Sequence, residues 1–371
     1  MKIGFLINYF YPFLGGAESN CFYLAKELVK KGHEVHVFTT NQKGKQKLER
    51  EETIEGIRVH RSKVWFRYRY YFTLAPGLLS NIFKYNLEVL HVHSFGFLYH
   101  DFIVLLKKLF SKTKLINTPH GPFMALPNYN LLQIIIKKIV ELIENPLNHL
   151  YDTVIEVNPY QKRWLKEKGA KKVDFVPNGI TKNALSNAQP INRYKDKFII
   201  SYIGRIQKYK GLDQVIKVLP KLGENVIFIA IGEDAGNKES LIKLSKDLRV
   251  SNRVFFTGRI KEQEKLNLLD ASKLFILPSE WEAFGIVILE AMARGKVIIS
   301  TKTEGGRYLV KRENGFLYPN NNLIQLEEIL KTLTKVDLKK YEAPNIKKAR
   351  EFDWSNIVSI LEEVYRNSKR H

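Results

Sequence analysis

Short apolar segments alternate with helix-compatible segments along most of the 371-residue chain. In the first half, the predicted strands cover residues 3–7, 34–39, 89–92, 115–117, 154–157 and 173–176. In the second half, they cover residues 198–203, 226–231, 253–256, 274–277 and 297–300. Such alternation is typical of βαβ units, which build parallel sheets with helices on both faces. The sequence therefore predicts an α/β protein with parallel sheets.

The alternation stops between residues 177 and 196, where Asn, Ser, Gln, Pro and Lys are typical of a linker. A chain of this length corresponds to about two or three domains. We therefore expect two doubly wound domains, at residues 1–185 and 186–350, that face each other across a cleft. Residues 322–371 carry no strand pattern, and we expect a final helix within 351–371 to pack back toward the first domain. Ligands of doubly wound sheets bind beyond the carboxyl ends of the strands, so residues that follow strands are the functional candidates.

The composition excludes several classes of protein. Hydrophobic residues make up 44% and charged residues 26%, which supplies enough apolar material for two cores and argues against a disordered chain. The single cysteine, Cys21, excludes an intrachain disulfide and a metal site made of several cysteines, and it fits a reducing compartment. The amino-terminal apolar run is too short for a signal peptide. The apolar run at 131–143 is interrupted by Lys137, Lys138 and Glu141, which predicts a buried or surface helix rather than a membrane span. We therefore expect a cytoplasmic protein.

The formal net charge of +22 predicts attraction to polyanions such as nucleic acid, an anionic membrane or phosphorylated substrates. Residues 1–180 hold 26 basic and 15 acidic side chains, so the excess is spread along the chain rather than confined to a tail. Nucleic-acid binding is the least favoured of these alternatives. The sequence shows no helix-turn-helix, zinc-finger or RNA-binding signature, and its basic residues are interspersed with acidic ones. We expect no nucleic-acid partner.

Glycine and histidine residues follow predicted strands of the first half. Gly15 and Gly16 precede a predicted helix at 17–31, so the backbone there can approach an anionic ligand closely; a tight turn is the alternative. His120 follows the strand at 115–117 between a proline and a glycine, and a structural histidine is its alternative role. His91 and His93 share one face of another strand. His93 is expected to line the cleft and His91 to be structural, since no acidic or cysteine side chains complete a metal site.

Two segments of the second half carry charge after strands. Arg205 and Lys210 lie in a glycine-bounded loop after residues 198–203, where a guanidinium and an ammonium together suit a diphosphate. Glu282 and Glu290 follow residues 274–277, with Glu282 just before a predicted helix and Glu290 about two turns into it. Because Glu290 has apolar neighbours, it needs a partner such as the vicinal hydroxyls of a ribose; an exposed helical glutamate is the alternative.

With these segments in order, the chain resembles the retaining GT-B glycosyltransferases of family 4, also described as glycosyl transferases group 1. The resemblance covers nearly the whole length. It implies two Rossmann-like domains facing across a cleft, with the acceptor on the first domain and the nucleotide-sugar donor on the second. It rests on six segments: Gly15-Gly16-Ala17-Glu18, Thr118-Pro119-His120-Gly121, Val176-Pro177-Asn178-Gly179-Ile180, Gly204-Arg205 with Lys210-Gly211, Phe256-Thr257-Gly258, and Glu282 with Glu290.

The resemblance implies transfer of a sugar from a UDP- or GDP-linked donor with retention at the anomeric carbon. It implies no metal and no cofactor besides this co-substrate. By the same resemblance, Arg205 and Lys210 hold the donor diphosphate and neutralise charge on the leaving phosphate, and Gly16 approaches the diphosphate or the acceptor. Glu290 binds the ribose.

The donor sugar is assigned by resemblance to one short segment and one histidine. Glu282 and the backbone amides around Phe284, Gly285 and Ile286 are expected to hold the sugar hydroxyls. His120 is expected to lie near the reacting sugar. Glu282 and His120 are therefore the candidate catalytic residues.

One segment departs from the family pattern, and other functions stay open. Gly305 and Gly306 are followed by Arg307 where family members often carry Pro-Glu, so the identity of the sugar is not inferred. A GT-B sugar-nucleotide epimerase, a phosphorylase, or a catalytically inactive binding module are the alternatives to a transferase.

A basic and aromatic segment suggests where the protein works. Residues 58–114 contain ten basic side chains and only two acidic ones, Glu88 and Asp101, and residues 63–72 interleave bases with aromatic residues. Tyr and Trp favour membrane interfaces, and each nearby Lys or Arg gains about 1 kcal/mol at an anionic surface. We therefore expect peripheral attachment to the cytoplasmic membrane face and an acceptor such as a lipid-linked or surface glycan. The alternative is that these aromatic residues pack in the core of the first domain and the acceptor is soluble.

Overall fold

The computed structural model describes residues 1–13, 15–44, 46–68, 72–94, 97–121, 130–185 and 194–369. The chain divides into two compact units. Unit 1 comprises Met1–Asn178 with Trp354–His371, and unit 2 comprises Gly179–Asp353. The chain thus passes from one unit to the other at residues 178–179, within the stretch that the sequence assigns to the linker and before the expected domain boundary at 185–186.

Both units are built around sheets. The strands of unit 1 are β1 (Lys2–Leu6), β2 (Glu34–Thr40), β3 (Gln42–Lys43), β4 (Gln46–Lys47), β5 (Glu51–Ile54), β6 (Ile57–Ser62), β7 (Phe66–Tyr68), β8 (Phe72–Leu74), β9 (Val89–Val92), β10 (Lys114–Asn117), β11 (Thr153–Glu156) and β12 (Val173–Phe175). Those of unit 2 are β13 (Phe198–Ile203), β14 (Val226–Ile231), β15 (Val254–Gly258), β16 (Leu274–Leu277), β17 (Val297–Thr301) and β18 (Gly315–Tyr318).

The strand orders are those of doubly wound sheets. In unit 1 the main sheet runs β12-β11-β10-β9-β1-β2-β6-β5, and all its pairs are parallel except β5 with β6. In unit 2 the order is β15-β14-β13-β16-β17-β18, and every pair is parallel. Two small antiparallel pairs, β3 with β4 and β7 with β8, complete unit 1. In each main sheet, the chain first adds strands on one side of the first strand and then continues on its other side. This reversal of strand order creates a switch point between β1 and β9 in unit 1 and another between β13 and β16 in unit 2.

Helices connect the strands of each sheet. They are α1 (Gly16–Lys30), α2 (Gly77–Lys84), α3 (Leu98–Phe110), α4 (Leu131–Leu147), α5 (Lys162–Glu167), α6 (Leu212–Val218), α7 (Lys238–Asp247), α8 (Glu262–Ala271), α9 (Ile286–Ala293), α10 (Glu304–Leu309), α11 (Leu323–Leu333), α12 (Glu342–Arg350) and α13 (Trp354–Asn367). The final helix, α13, packs on α1 of unit 1, where the rings of Tyr23 and Trp354 stack 5.7 Å apart.

The predicted parallel α/β architecture is confirmed, but strands with polar or mixed sequences were missed. β6 lies within the main sheet of unit 1, yet it buries His60, Arg61 and Ser62. The Arg61 guanidinium donates to the carboxylate of Glu52 and to the carbonyl oxygen of Tyr11 at 2.9 Å. A buried strand with this composition has no apolar run for a sequence pattern to detect. The strands β3, β4, β5, β7, β8 and β18 were missed as well.

Candidate active site

The charged candidates of unit 2 lie at the switch point between β13 and β16. The loop after β13 carries Arg205 and Lys210, and the loop after β16 carries Glu282. Because parallel strands end at the same edge of a sheet, the two loops meet there. The backbone N–H of Glu280 donates to the carbonyl oxygen of Tyr209 at 2.8 Å and joins the loops directly.

Close approach between these loops requires glycine at position 211. Gly211 has a φ of +67°, and a β-carbon there would lie 2.2 Å from the carbonyl oxygen of Pro278. Gln214, one turn further on and almost fully buried, donates to the same carbonyl oxygen at 2.9 Å. Its amide also contacts Asn320 at 3.0 Å and accepts from the backbone N–H of Asn321 at 3.0 Å. Gln214, on α6, therefore joins the loops that follow β16 and β18, and no motif in the sequence pointed to it.

Lys210 and Glu282 form an ion pair at this edge. The Lys210 ammonium donates to Glu282 Oε1, which also accepts from the Ser279 hydroxyl at 2.9 Å. The Lys210 and Glu282 side chains are only 13% and 15% exposed. Burial acts to lower the pKa of Lys210, but the Glu282 carboxylate and the Tyr209 ring outweigh it, so the pKa is raised. The structure thus holds a charged lysine and a carboxylate together at the position where the sequence analysis expected donor binding.

Arg205 has a fixed backbone and an exposed side chain. Its carbonyl oxygen accepts from the Tyr202 hydroxyl at 2.9 Å. Within the described part of the chain, its guanidinium forms no hydrogen bond or ion pair. Burial, followed by the nearby Glu282 carboxylate, raises the pKa of Tyr202, so this phenol keeps its proton and the anchor. The paired donors of the guanidinium are therefore available to an external anion.

The helix after Glu282 begins without a side-chain cap. Gly285, at φ +83°, precedes α9 and has no side chain to cap it, and the Ile288 N–H donates to the Gly285 carbonyl oxygen at 2.8 Å. Among the described residues, the backbone N–H groups of Ile286 and Val287 have no hydrogen-bond acceptor. Phe284 is buried against the rings of Tyr308 and Phe352 at 6.0 and 6.1 Å. The backbone N–H of Gly305 donates to the carbonyl oxygen of Glu282 at 3.0 Å, which holds the segment in place. The free N–H groups of a helix start are suited to oxygen ligands.

Glu290 lies on α9 and pairs with a lysine that the sequence analysis did not single out. The Lys265 ammonium, on α8, lies 3.0 Å from Glu290 Oε2 and 2.9 Å from Glu262. Burial opposes the charge of Lys265, but these two carboxylates raise its pKa. The pair gives a structural reason for an acid in an apolar helix. Among the described residues, Glu290 Oε1 has no hydrogen-bond partner, so one carboxylate oxygen is left for a ligand.

In unit 1, the half-buried His120 lies next to two buried histidines, His91 and His93. It follows β10 in the left-handed region, at φ +61°. His120 Nε2 and His93 Nδ1 share a hydrogen bond of 2.9 Å, and His91 contacts the hydroxyls of Thr118 and Tyr365, each at 2.7 Å. His93 Nε2 is buried without a described partner. Burial lowers the pKa of His120 to about 4 and that of His91 to about 3, so both rings are neutral at pH 7.

The double glycine lies where the sequence analysis expected it. α1 begins at Gly16, and a β-carbon at that position would lie within 4 Å of no described atom other than those of its chain neighbours and of its own helix backbone. A β-carbon at Gly15 would instead lie 2.5 Å from the carboxylate of Glu18. The space beside Gly16 is therefore open, whereas Gly15 is constrained by its own helix.

The described parts of the basic and aromatic segment include β7 and the start of β8, which pair in antiparallel orientation, and residues 69–71 lie outside the described residues. Trp65, Phe66 and Tyr68 are exposed, Trp65 at 72%. Arg67 instead points inward, donating to the Gln42 carbonyl oxygen at 2.7 Å and to two threonine hydroxyls. Trp65, Phe66 and Tyr68 thus do not pack in the core, and Phe72, the fourth described aromatic residue of the segment, is half-buried. In the part of the chain that is described, every helix is too short or too polar to cross a membrane.

Comparison with known proteins places the chain in a class and then in a family. Residues 14–183 match the model of Glycosyltransferase Family 4, and residues 185–352 match that of Glycosyl transferases group 1. A sucrose-phosphate synthase from Thermosynechococcus elongatus has the same fold, with a TM-score of 0.81, 18% identity and 98% of both chains covered. The Anabaena protein HepE, solved with UDP and glucose, gives a TM-score of 0.77 at 20% identity over 99% of both chains. The class is the GT-B glycosyltransferases.

The two family models together span most of the chain, and the protein belongs to glycosyltransferase family 4, the glycosyl transferases group 1. The predicted family and fold class are therefore confirmed. Among relatives, the phosphatidylinositol N-acetylglucosaminyltransferase gpi3 subunit of Schizosaccharomyces pombe is 26% identical over 80% of this chain. The alignment spans 65% of that relative's length.

Proposed function

We propose that the protein is a retaining glycosyltransferase that moves a sugar from a nucleoside-diphosphate sugar to an acceptor carried on a lipid. The observation that carries the proposal is the buried Lys210–Glu282 pair beside the free guanidinium of Arg205. A cation held next to a carboxylate at the carboxyl edge of a parallel sheet suits a ligand with phosphate at one end and hydroxyls at the other.

Arg205 and Lys210 would bind the donor diphosphate. An ammonium has three N–H donors, and Lys210 directs one to Glu282 and one to the Tyr209 side chain, which leaves a third for a phosphate oxygen. The Arg205 guanidinium adds two parallel donors. As the bond between the anomeric carbon and the diphosphate oxygen breaks, these cations stabilise the negative charge on the leaving group, so no metal ion is required.

The remaining candidates would orient the sugar and the nucleotide. Glu282 and the N–H groups at the start of α9 accept from and donate to sugar hydroxyls, while Glu290 Oε1 accepts from the ribose. The acceptor oxygen bonds to the anomeric carbon on the face that the diphosphate leaves, and its proton passes to the leaving diphosphate. His120, being neutral, contributes a hydrogen bond to the sugar rather than a charge.

Two relatives support the choice of substrates. HepE was solved with UDP and glucose, which favours UDP over GDP as the donor nucleotide. The name of the Schizosaccharomyces pombe relative contains phosphatidylinositol, which favours a lipid acceptor. Four charged side chains favour a transferase over an epimerase or a phosphorylase: Arg205, Lys210, Glu282 and Glu290.

The donor assignment is tested by titrating the protein with UDP and GDP by calorimetry, in parallel with Arg205→Ala. Charge-assisted hydrogen bonds contribute about 1.5–3 kcal/mol, so the variant is expected to bind UDP roughly tenfold to a hundredfold more weakly. Lys208→Ala, which removes an exposed lysine of the same loop, is the matched control and should bind UDP normally. Equal affinity of Arg205→Ala and wild type would reject the assignment.

Activity is tested with UDP-sugars and a lipid extract, with and without EDTA. Labelled sugar should enter the lipid fraction in both cases, and NMR of the product should show the anomeric configuration of the donor. An inverted product would contradict retention, and loss of transfer in EDTA would contradict a metal-free reaction. Epimerised sugar nucleotide formed without an acceptor would favour the epimerase alternative.

A further inference from the structure

Helix α4 presents an apolar face to the outside of unit 1. Eight of the 22 large apolar side chains that are exposed among the described residues lie on this one helix. Leu131 and Leu142 are 74% and 76% exposed. A monomeric soluble protein seldom exposes such a concentration of apolar surface without a partner. The eight side chains are Leu131, Leu132, Ile134, Ile135, Ile136, Ile139, Leu142 and Ile143.

The exposed side chains form one continuous face. They recur at spacings of three and four residues, and at about 100° per residue all but Ile134 fall within roughly 140° of the helix circumference. The side of the helix turned toward unit 1 is mostly polar. Glu141 pairs there with Lys168 at 3.2 Å, and Val140 is the apolar side chain that is buried on this side. The helix is thus amphipathic with its apolar face outward, which is the reverse of a helix that packs on a sheet.

The chemistry of this face favours a lipid over a protein. All eight of its large apolar side chains are leucine or isoleucine, and the exposed Pro146 lies among them, whereas protein interfaces are enriched in aromatic residues and arginine. Lys138 is exposed and borders the face, as basic residues border interfacial helices. The chain carries a net charge of +22, which attracts an anionic surface and repels a second copy of the same chain.

We propose that the apolar face of α4 inserts into the interface of an anionic phospholipid bilayer and anchors unit 1 there. Seventeen residues lying in the plane of the interface bury their leucines and isoleucines among the acyl chains near the headgroups, while Lys138 faces the phosphates. This surface differs from the basic and aromatic segment at residues 63–72 that the sequence analysis favoured for membrane attachment. The proposed attachment through α4 does not depend on the proposed transfer reaction.

The test is co-flotation of the full chain with vesicles of phosphatidylcholine alone and of phosphatidylcholine mixed with phosphatidylglycerol. The wild type is expected to float with the mixed vesicles, more weakly at high salt, and poorly with the neutral ones. Leu142→Ser should lower the vesicle partition coefficient by about tenfold or more, since it removes an aliphatic side chain from the lipid. Ile324→Ser is the matched control, because Ile324 is 74% exposed on α11 of unit 2, and it should float like the wild type.

Further measurements separate this surface from its competitors. Normal flotation of Leu132→Ser/Ile139→Ser/Leu142→Ser would overturn the proposal, as would loss of flotation only in Trp65→Ser/Phe66→Ser. A concentration-dependent dimer in light scattering without vesicles, dissolved by Leu142→Ser, would assign the face to a second copy instead. UDP calorimetry on the triple variant should match the wild type, which shows that the variant is folded. Flotation without any sugar transfer would reject the proposed function and leave the docking surface standing.

Discussion

The ion pair between Lys210 and Glu282 is expected to be a single energetic unit that also binds the donor. Lys210→Met leaves the Glu282 carboxylate at 15% exposure with the Ser279 hydroxyl as its remaining described partner. Removing one partner of a fully buried ion pair lowers the free energy of unfolding by about 3–5 kcal/mol. Because the side chains of this pair are partly exposed, the expected loss is about 2–4 kcal/mol. Glu282→Gln removes the charge from the other side and is expected to cost less, about 1–2 kcal/mol, because its amide oxygen still accepts from both partners.

The double variant Lys210→Met/Glu282→Gln then distinguishes a coupled pair from two independent side chains. With both charges gone, no buried charge is left unpaired, so the double variant should be more stable than the sum of the single variants predicts, by about 1–2 kcal/mol. The free energies are measured by urea unfolding followed by tryptophan fluorescence. Trp281 directly precedes Glu282, and a Trp281→Phe background identifies the transition that belongs to unit 2.

Binding and stability are expected to separate in this series. Both variants that lack Lys210 should bind UDP roughly tenfold to a hundredfold more weakly, while Glu282→Gln alone should keep most of the UDP affinity, because UDP contains no transferred sugar. Its turnover with a sugar donor should fall. Additive stabilities would show that the pair contributes nothing as a pair. Unchanged UDP affinity in Lys210→Met would remove Lys210 from the donor site.

Other predictions test neighbouring features. Glu290→Gln should weaken the binding of UDP about tenfold, whereas it should weaken the binding of deoxy-UDP, which lacks a ribose hydroxyl, much less. Both affinities are measured by calorimetry, and equal losses for the two ligands would reject ribose recognition by Glu290. Gly211→Ala should lower the unfolding free energy by about 2–4 kcal/mol, because its β-carbon would meet the carbonyl oxygen of Pro278, whereas Gly236→Ala, at φ +91° with open space, should cost about 1 kcal/mol. Lowering the pH from 7 to 5 should destabilise unit 1 by about 3 kcal/mol in urea titrations. Below pH 6.5 the histidines of the unfolded chain take up protons, whereas His91, His100 and the half-buried His120 stay neutral until the pH approaches their folded pKa values of about 3 to 4. The stability is therefore fully present above pH 6.5 and is lost as the pH falls, and burial, which lowers the pKa of His36, His60 and His93, acts in the same direction. Asp101 offsets part of this loss, because burial raises its pKa to about 7 and the folded protein takes up this proton more readily than the unfolded chain. An unfolding free energy of unit 1 that increases as the pH falls from 7 to 5 would contradict the assignment of neutral histidines.

The sequence was sufficient for the architecture and for the position of the candidate residues along it. Parallel strands are buried on both faces, so they are continuous apolar runs, and most strands of both main sheets could be located from such runs. Since ligands bind at the carboxyl ends of those strands, the residues that follow them could be chosen without coordinates. Arg205, Lys210 and Glu282 lie at that edge in unit 2, as this reasoning requires.

The tertiary structure decided which side chains meet. Lys210 and Glu282 are 72 positions apart, and they are paired because the strand order sets β13 beside β16, which no local pattern specifies. The same holds for Lys265 with Glu290, and for Gln214, whose amide reaches the loops that follow β16 and β18.

Helix α4 shows the limit of sequence patterns most clearly. The spacing of its leucines and isoleucines fixes that the helix has an apolar face, since side chains three and four positions apart share a side. The pattern holds no information on whether that face turns toward the sheet or away from it, because a periodicity defines a direction only relative to the helix axis. The packing of Val140 and the contact of Glu141 with Lys168 set the polar side inward, so only the folded unit determines that the apolar face is left on its surface.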